Sequence, residues 1–285
     1  MPGSSVWTVW RAFAPCGAEI RRTCRRVAEL GVTVRTAATL DDVRCLFATC
    51  RVVTLFSHSP FLTFDPEDLL DAVAIAEALD GRAAEEPRTA AGVFRRAAAR
   101  EWQTYCSQQK LNSGRLDSAR LREALCACFN GLIERDADHV FDPPADRCTR
   151  VSPQGGEEGP LVWFARANFE IAFPARVIRP ATTVDFADKA VAIRDLQGLI
   201  AAGFQGVADL GVCHSSLVGE YLKAQEGARC VVIVNRGRVK IRERTFLYRH
   251  TMELLAEEDA QLDYVSANYE VRRYVLRREG HQPTR

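Results

Sequence analysis

Residues 51–59 read RVVTLFSHS, and this stretch decides the fold class. Val52 to Phe56 form an almost unbroken apolar and β-branched run. That is how a parallel strand covered on both faces reads, rather than one with a solvated face. Working back from it, Thr39 is placed to cap a helix, with Asp42 in the capping-box position. Val43, Leu46, Phe47 and Cys50 follow as an apolar stripe. Val32 to Arg35 (VTVR) is a short strand before that. Residues 17–31, GAEIRRTCRRVAELG, put Ile20, Cys24, Val27 and Ala28 on one helical face, and Gly31 stops the helix. Val6 to Phe13 (VWTVWRAF) opens the series as a strand. Strand, helix, strand, helix, strand predicts an α/β fold with a parallel sheet under covering helices. His58 then falls at a strand's carboxyl end, where open α/β sheets carry their functional groups.

Beyond Ser59 the pattern changes. Residues from about 61 to 140 read as a helical insertion. Its helices run from Asp65 to about Leu79, from about Thr89 to Gln108 and from about Asp117 to Glu134, the last with Leu121, Leu125, Cys128, Phe129 and Leu132 on one face. Residues 141–160, FDPPADRCTRVSPQGGEEGP, read as a long exposed loop. Leu161 to Phe173 (LVWFARANFEIAF) resembles one or two strands. Ala190 to Ala202 is expected to be helical. Phe204 to Val212 (FQGVADLGV) is a strand that ends at Cys213, followed by a helix over SSLVGEYLKAQEG and a buried strand from Cys230 to Val234. The remainder, to about Glu279, is mostly helical. Tyr264, Ala267, Val271, Tyr274 and Val275 are expected inward, with Arg272, Arg273, Arg277 and Arg278 outward. Residues 1–285 are expected to form a single domain.

Composition excludes several function classes. The formal net charge is +1 over 285 residues, without the concentrated basic excess that phosphate binding needs, so no nucleic-acid partner is expected. No apolar run approaches the ~20 residues that span a bilayer, so no membrane role is expected. The opening residues MPGSSVWTVWRAF lack the basic and long apolar regions of an export signal, so a cytoplasmic protein is expected. The ten cysteines are then expected to be free thiols. Cys126, Cys128, His139 and Cys148 are suitable zinc ligands. They offer one C-x-C and two stragglers rather than two paired C-x2-C units, so no metal and no cofactor are expected.

Two strands end in reactive residues: LFS-His58-SP and ADLGV-Cys213-HSS. A thiol needs a neighbouring base, or a lowered pKa, to be a good nucleophile at neutral pH. Histidine has the right pKa for taking that proton and later returning it to a leaving amine. His214 adjoins the cysteine, but successive strand residues point to opposite faces, and His250 reads as a packed helical residue. Asp209 is unusual inside an apolar strand. A buried carboxylate must be paired or in use, so it either recognises a basic substrate residue or forms a structural salt bridge with an arginine.

The segments VADLGVCHSS, RVVTLFSHS and VDFADKAVAIRDLQGL resemble, respectively, the nucleophile strand, the histidine strand and the approach to the nucleophile in caspase-like (clan CD) cysteine peptidases of the CHAT-domain type. The resemblance covers about residues 5–60 and 183–278. It implies a caspase-like three-layer sandwich with a mostly parallel central sheet, and endopeptidase activity on a protein substrate. Cys213 would be the nucleophile and His58 the base, with the backbone N–H groups of Cys213 and Ser59 as the oxyanion hole. It also implies a role in bacterial defence or cell death, with an activating protein partner. The clan's His-Gly is His58-Ser59 here, and Ser216 stands where a glycine is common. Those departures leave room for an inactive caspase-like adaptor or regulator. A second alternative is an α/β-hydrolase-like cysteine hydrolase, because Gly211-Val212-Cys213-His214-Ser215 resembles a nucleophile elbow.

Overall fold

The computed structural model describes residues 3–7, 17–80, 89–137, 163–213, 215–223, 229–235, 241–257 and 263–278. Its centre is a five-stranded sheet in the order β2-β1-β3-β6-β7, with all pairings parallel. The strands are β1 (Gly3–Trp7), β2 (Thr33–Thr36), β3 (Val52–Phe56), β6 (Val207–Gly211) and β7 (Val231–Ile233). A two-stranded antiparallel hairpin, β4 (Thr183–Asp185) and β5 (Ala190–Ala192), stands apart from it.

Alternation along the strands sends successive side chains to opposite faces, and each face is covered by helices. On one side Phe56 packs with Ile20 and Val27 of α1 (Gly17–Glu29), Tyr248 and Met252 of α8 (Ile241–Leu255), and Tyr264 of α9 (Tyr264–Arg278). On the other, Val53, Leu55, Ala208 and Leu210 pack with Val43, Leu46 and Phe47 of α2 (Leu40–Thr49) and with Val218 and Leu222 of α7 (Ser216–Leu222). The α2 N-terminus carries the expected capping box, in which Thr39 and Asp42 exchange side-chain-to-backbone hydrogen bonds. The chain is therefore a mixed α/β protein built on a parallel sheet.

The excursion between β3 and β6 holds a second apolar core. It is formed by α3 (Ala72–Leu79), α4 (Ala90–Gln108), α5 (Ser118–Ala137) and α6 (Arg166–Ala172). Thr89 caps α4, its side chain accepting from the Gly92 N–H. The segment after Asp65 begins with a 3-10 turn over Pro66–Asp68, and the α-helix starts only after Asp71.

Four expectations need correction. Residues 166–172 are helical, not extended. Their polar and apolar residues alternate as in a strand, yet Arg166 and Glu170 are i,i+4 partners at 2.8 Å, a contact that a helix makes. Residues 190–202 are not an α-helix. Ala190–Ala192 pair with β4, residues 193–196 form a 3-10 turn, and Gly198 adopts φ +77°, which ends any right-handed run. On α1, Thr23 takes the buried place expected of Ala28, which is exposed. On α9, Arg272 is buried and Tyr274 is exposed, the reverse of the expected faces. The expected strand over residues 8–13, the loop at 141–160, His139, Cys148, His214 and the side chains of Arg273, Val275, Arg277 and Arg278 lie outside the described residues.

Candidate active site

Strands β3 and β6 are neighbours, and their register fixes what their ends can bring together. Val52 pairs with Val207, Thr54 with Asp209 and Phe56 with Gly211. Each pair is 155 positions apart in sequence (207 − 52), and so are His58 and Cys213 (213 − 58). Both residues thus lie two positions beyond the last paired residues, at the carboxyl edge of the sheet. Adjacent strands are about 4.8 Å apart, which is close enough for side chains leaving the two ends to meet. Gly211 makes room for this alignment. A Cβ there would come within 2.7 Å of the Phe56 ring and 3.1 Å of the Leu55 carbonyl.

The two ends are held differently. On the β3 side, the Ser57 hydroxyl donates to the Asp185 carbonyl at 2.5 Å, and the Asp185 N–H donates to the His58 carbonyl at 3.2 Å. Main chain of the β4 hairpin therefore fixes the backbone at His58. The His58 side chain is exposed, and its imidazole makes no hydrogen bond among the described residues. Ser59 is buried.

On the β6 side, Cys213 is half-buried and the turn around it is tied from within. Asn235, two residues beyond β7, is completely buried. Its Nδ2 donates to the Leu210 carbonyl and, at 3.5 Å, to that of Val212. Its backbone N–H donates to the Oγ of the fully buried Ser215 at 2.8 Å. The sequence reading gave Asn235 no role, and it named Ser215 only as the last residue of an elbow-like run. The signal was there in VVIVN, an amide directly after an apolar strand at the functional edge.

Asp209 has the structural role that the sequence left as its alternative. Its side chain is 1% exposed and faces α8 and α9. The carboxylate is ion-paired with Arg244 and accepts a hydrogen bond from the Tyr264 hydroxyl at 2.6 Å. Burial pushes the Tyr264 hydroxyl well above the ordinary tyrosine range and draws the Arg244 guanidinium downward. Asp209 is thus an internal anchor of β6 rather than a residue open to substrate.

The helical excursion is tied to the hairpin by a second buried network. Arg166 donates to Glu170 and, at 2.7 Å, to Asp68, as well as to the carbonyls of Thr63 and Arg179. Glu170 also accepts from the N–H groups of Ala181 and Thr182, and from the Thr182 hydroxyl. The chain leaving His58 and the chain entering β4 are thereby pinned to one helix.

Other sequence candidates are not gathered here. His250 sits on α8 with its Nδ1 3.0 Å from a Glu253 carboxylate oxygen, and burial followed by the neighbouring Arg249 lowers its pKa. Cys126 donates to the Phe64 carbonyl, and Cys128 is buried, its thiol pushed up to about 12 by burial. Among the described residues no three His, Cys, Asp or Glu side chains converge on a metal position, and no helix is long and apolar enough to cross a membrane. No family model, curated protein or solved structure matches the chain.

Proposed function

We propose that the protein is a cysteine endopeptidase of caspase-like architecture, acting through Cys213 and His58. The observation that carries this reading is the shared offset of 155 positions: the register that pairs β3 with β6 also aligns the candidate base with the candidate nucleophile. In the proposed cycle, His58 takes the thiol proton as Cys213 Sγ attacks the scissile carbonyl carbon. The tetrahedral oxyanion is received by the backbone N–H groups of Cys213 and Ser59. Its collapse expels the amine, which takes the proton from His58, and leaves a thioester on Cys213. Water, deprotonated by His58, then hydrolyses the thioester, releasing the acid and the thiol. The Cys-His hydrogen bond is absent from the described contacts of His58. Such bonds often tighten only when substrate is bound.

A protein substrate, an activating protein partner and a defence role belong to this reading through the family resemblance, and a cytoplasmic setting belongs to it through the export-signal pattern that the opening residues lack. An inactive caspase-like regulator is the second reading, favoured by the exposed His58 imidazole that no side chain among the described residues holds. The α/β-hydrolase-like alternative is weaker. It calls for a histidine at the end of a later strand, and β7, the strand after the nucleophile, runs into Asn235.

The test is hydrolysis of a fluorogenic peptide library by wild type, Cys213→Ala and His58→Ala. Cleavage after a defined residue by wild type alone supports the peptidase. A silent wild type, also in the presence of candidate activating proteins, transfers the case to the regulator.

A further inference from the structure

We infer that Asn235 and Ser215 are positioning residues that aim the Cys213 N–H across the sheet toward the His58 end of β3; this rests on the peptidase reading above. Strand β6 lies between β3 on one side and β7 on the other. The Asn235 amide, on the β7 side, holds the carbonyl oxygens of Leu210 and Val212. Both facing atoms are acceptors, so the amide must present its nitrogen to them. The peptide joining Val212 to Cys213 is trans. In a trans peptide the C=O and the following N–H point in opposite directions. A Val212 carbonyl drawn toward β7 therefore sends the Cys213 N–H toward β3, where His58 and Ser59 lie.

Two further observations agree. Ser215 Oγ accepts from the Asn235 N–H, which fixes the turn after Cys213 to the same residue that fixes the strand before it. Among the described residues the buried Asn235 Oδ1 has no hydrogen-bond partner. An unsatisfied buried acceptor costs stability, so packing alone would favour an apolar side chain here. The amide is explained by what its nitrogen does to the two carbonyls.

An N–H aimed in this way acts on an oxyanion and has little part in displacement at a saturated carbon. The test compares wild type, Asn235→Ala and Ser215→Ala in three measurements. These are hydrolysis of the best library peptide, inhibition by tripeptide aldehydes varied at the last residue, and alkylation of Cys213 by iodoacetamide. Asn235→Ala is expected to lower kcat about 100-fold with KM changed less than threefold, in line with the loss of one oxyanion donor. Aldehyde inhibition is expected to weaken in parallel, while the alkylation rate changes less than threefold. Ser215→Ala gives the same pattern with a smaller loss and covers the case in which Asn235→Ala does not fold. Equal losses in all three measurements, or unchanged hydrolysis in both variants, overturn the inference. A wild type that is alkylated but neither cleaves peptides nor binds aldehydes fails at the peptidase reading itself, and the inference falls with it.

Discussion

The two strand ends that form the candidate site are built in opposite ways. Around Cys213 the backbone is tied by two completely buried polar side chains, Asn235 and Ser215, and the strand beneath it is anchored by the Asp209–Arg244–Tyr264 cluster. Around His58 the backbone is held by main-chain and hydroxyl bonds to Asp185, and the imidazole stands in solvent. On the proposed peptidase reading, the difference separates two tasks. A nucleophile and its oxyanion donors gain from geometry fixed before substrate arrives. A base that serves the thiol, the leaving amine and then water has to reach three positions in turn.

The sharpest way to break this contrast is to remove each reactive group. Cys213→Ala is expected to reduce peptide hydrolysis to background. His58→Ala should cost ~10²–10⁴-fold, the range for a general base, and still leave Cys213 open to iodoacetamide. Loss of Cys213 alkylation in His58→Ala would mean that the two ends are not independent.

The next effect lies under the nucleophile. Asp209→Ala leaves Arg244 buried without its carboxylate and should destabilise the fold by about 3–5 kcal/mol, read from the urea midpoint. The amino-acid preference of the remaining activity should not change. A shifted preference would return Asp209 to the substrate pocket. On the other side, Ser57→Ala removes one hydrogen bond to Asp185 and should cost about 1 kcal/mol with a small change in hydrolysis, because the base end tolerates movement.

The smallest effect is a pH dependence. Burial raises the pKa of Asp68, but the hydrogen bonds from Arg166 and from the Asp65 N–H outweigh it and hold the carboxyl below its ordinary value. Such a group stabilises the fold fully above its unfolded pKa and loses that contribution as pH falls through the folded value. The urea midpoint should therefore decline below about pH 4, and Asp68→Asn should flatten that part of the curve.

Much of the sheet was legible in the sequence because apolar, β-branched runs leave a plain mark, although β7 lies at the sheet edge and, of the strand expected to be buried over Cys230 to Val234, only Ile233 is buried while Val231 is exposed. VVTLF and CVVIV read as strands, and Thr39 with Asp42 declared a helix start that the structure realises. What stayed hidden was polar chemistry inside the protein. Segment 166–172 is a buried helix whose charged residues satisfy each other and nearby backbone, so it carries no solvated face to set a 3.6-residue period. Arg272 was taken for a solvated residue because it is charged. It lies buried with its Nε on Asn268, and burial lowers its pKa to about 10. Cys213 and His58 stood out as reactive types at strand ends. Asn235 did not, since an asparagine after a strand is also an ordinary loop residue.

The offset of 155 positions between β3 and β6 also governs how the protein comes to be folded. β1, β2 and β3 are contributed by the first 56 residues, whereas β6 arrives only after the whole helical excursion has been made. Pairing across so long a stretch of chain carries a large loop-closure cost until the intervening helices have packed, which makes it a late and slow event. During synthesis, a chain that has emerged as far as the helices has its histidine strand but no thiol to match it. On the proposed reading, closure of the central sheet also brings Cys213 to His58, and that step falls near the end of synthesis.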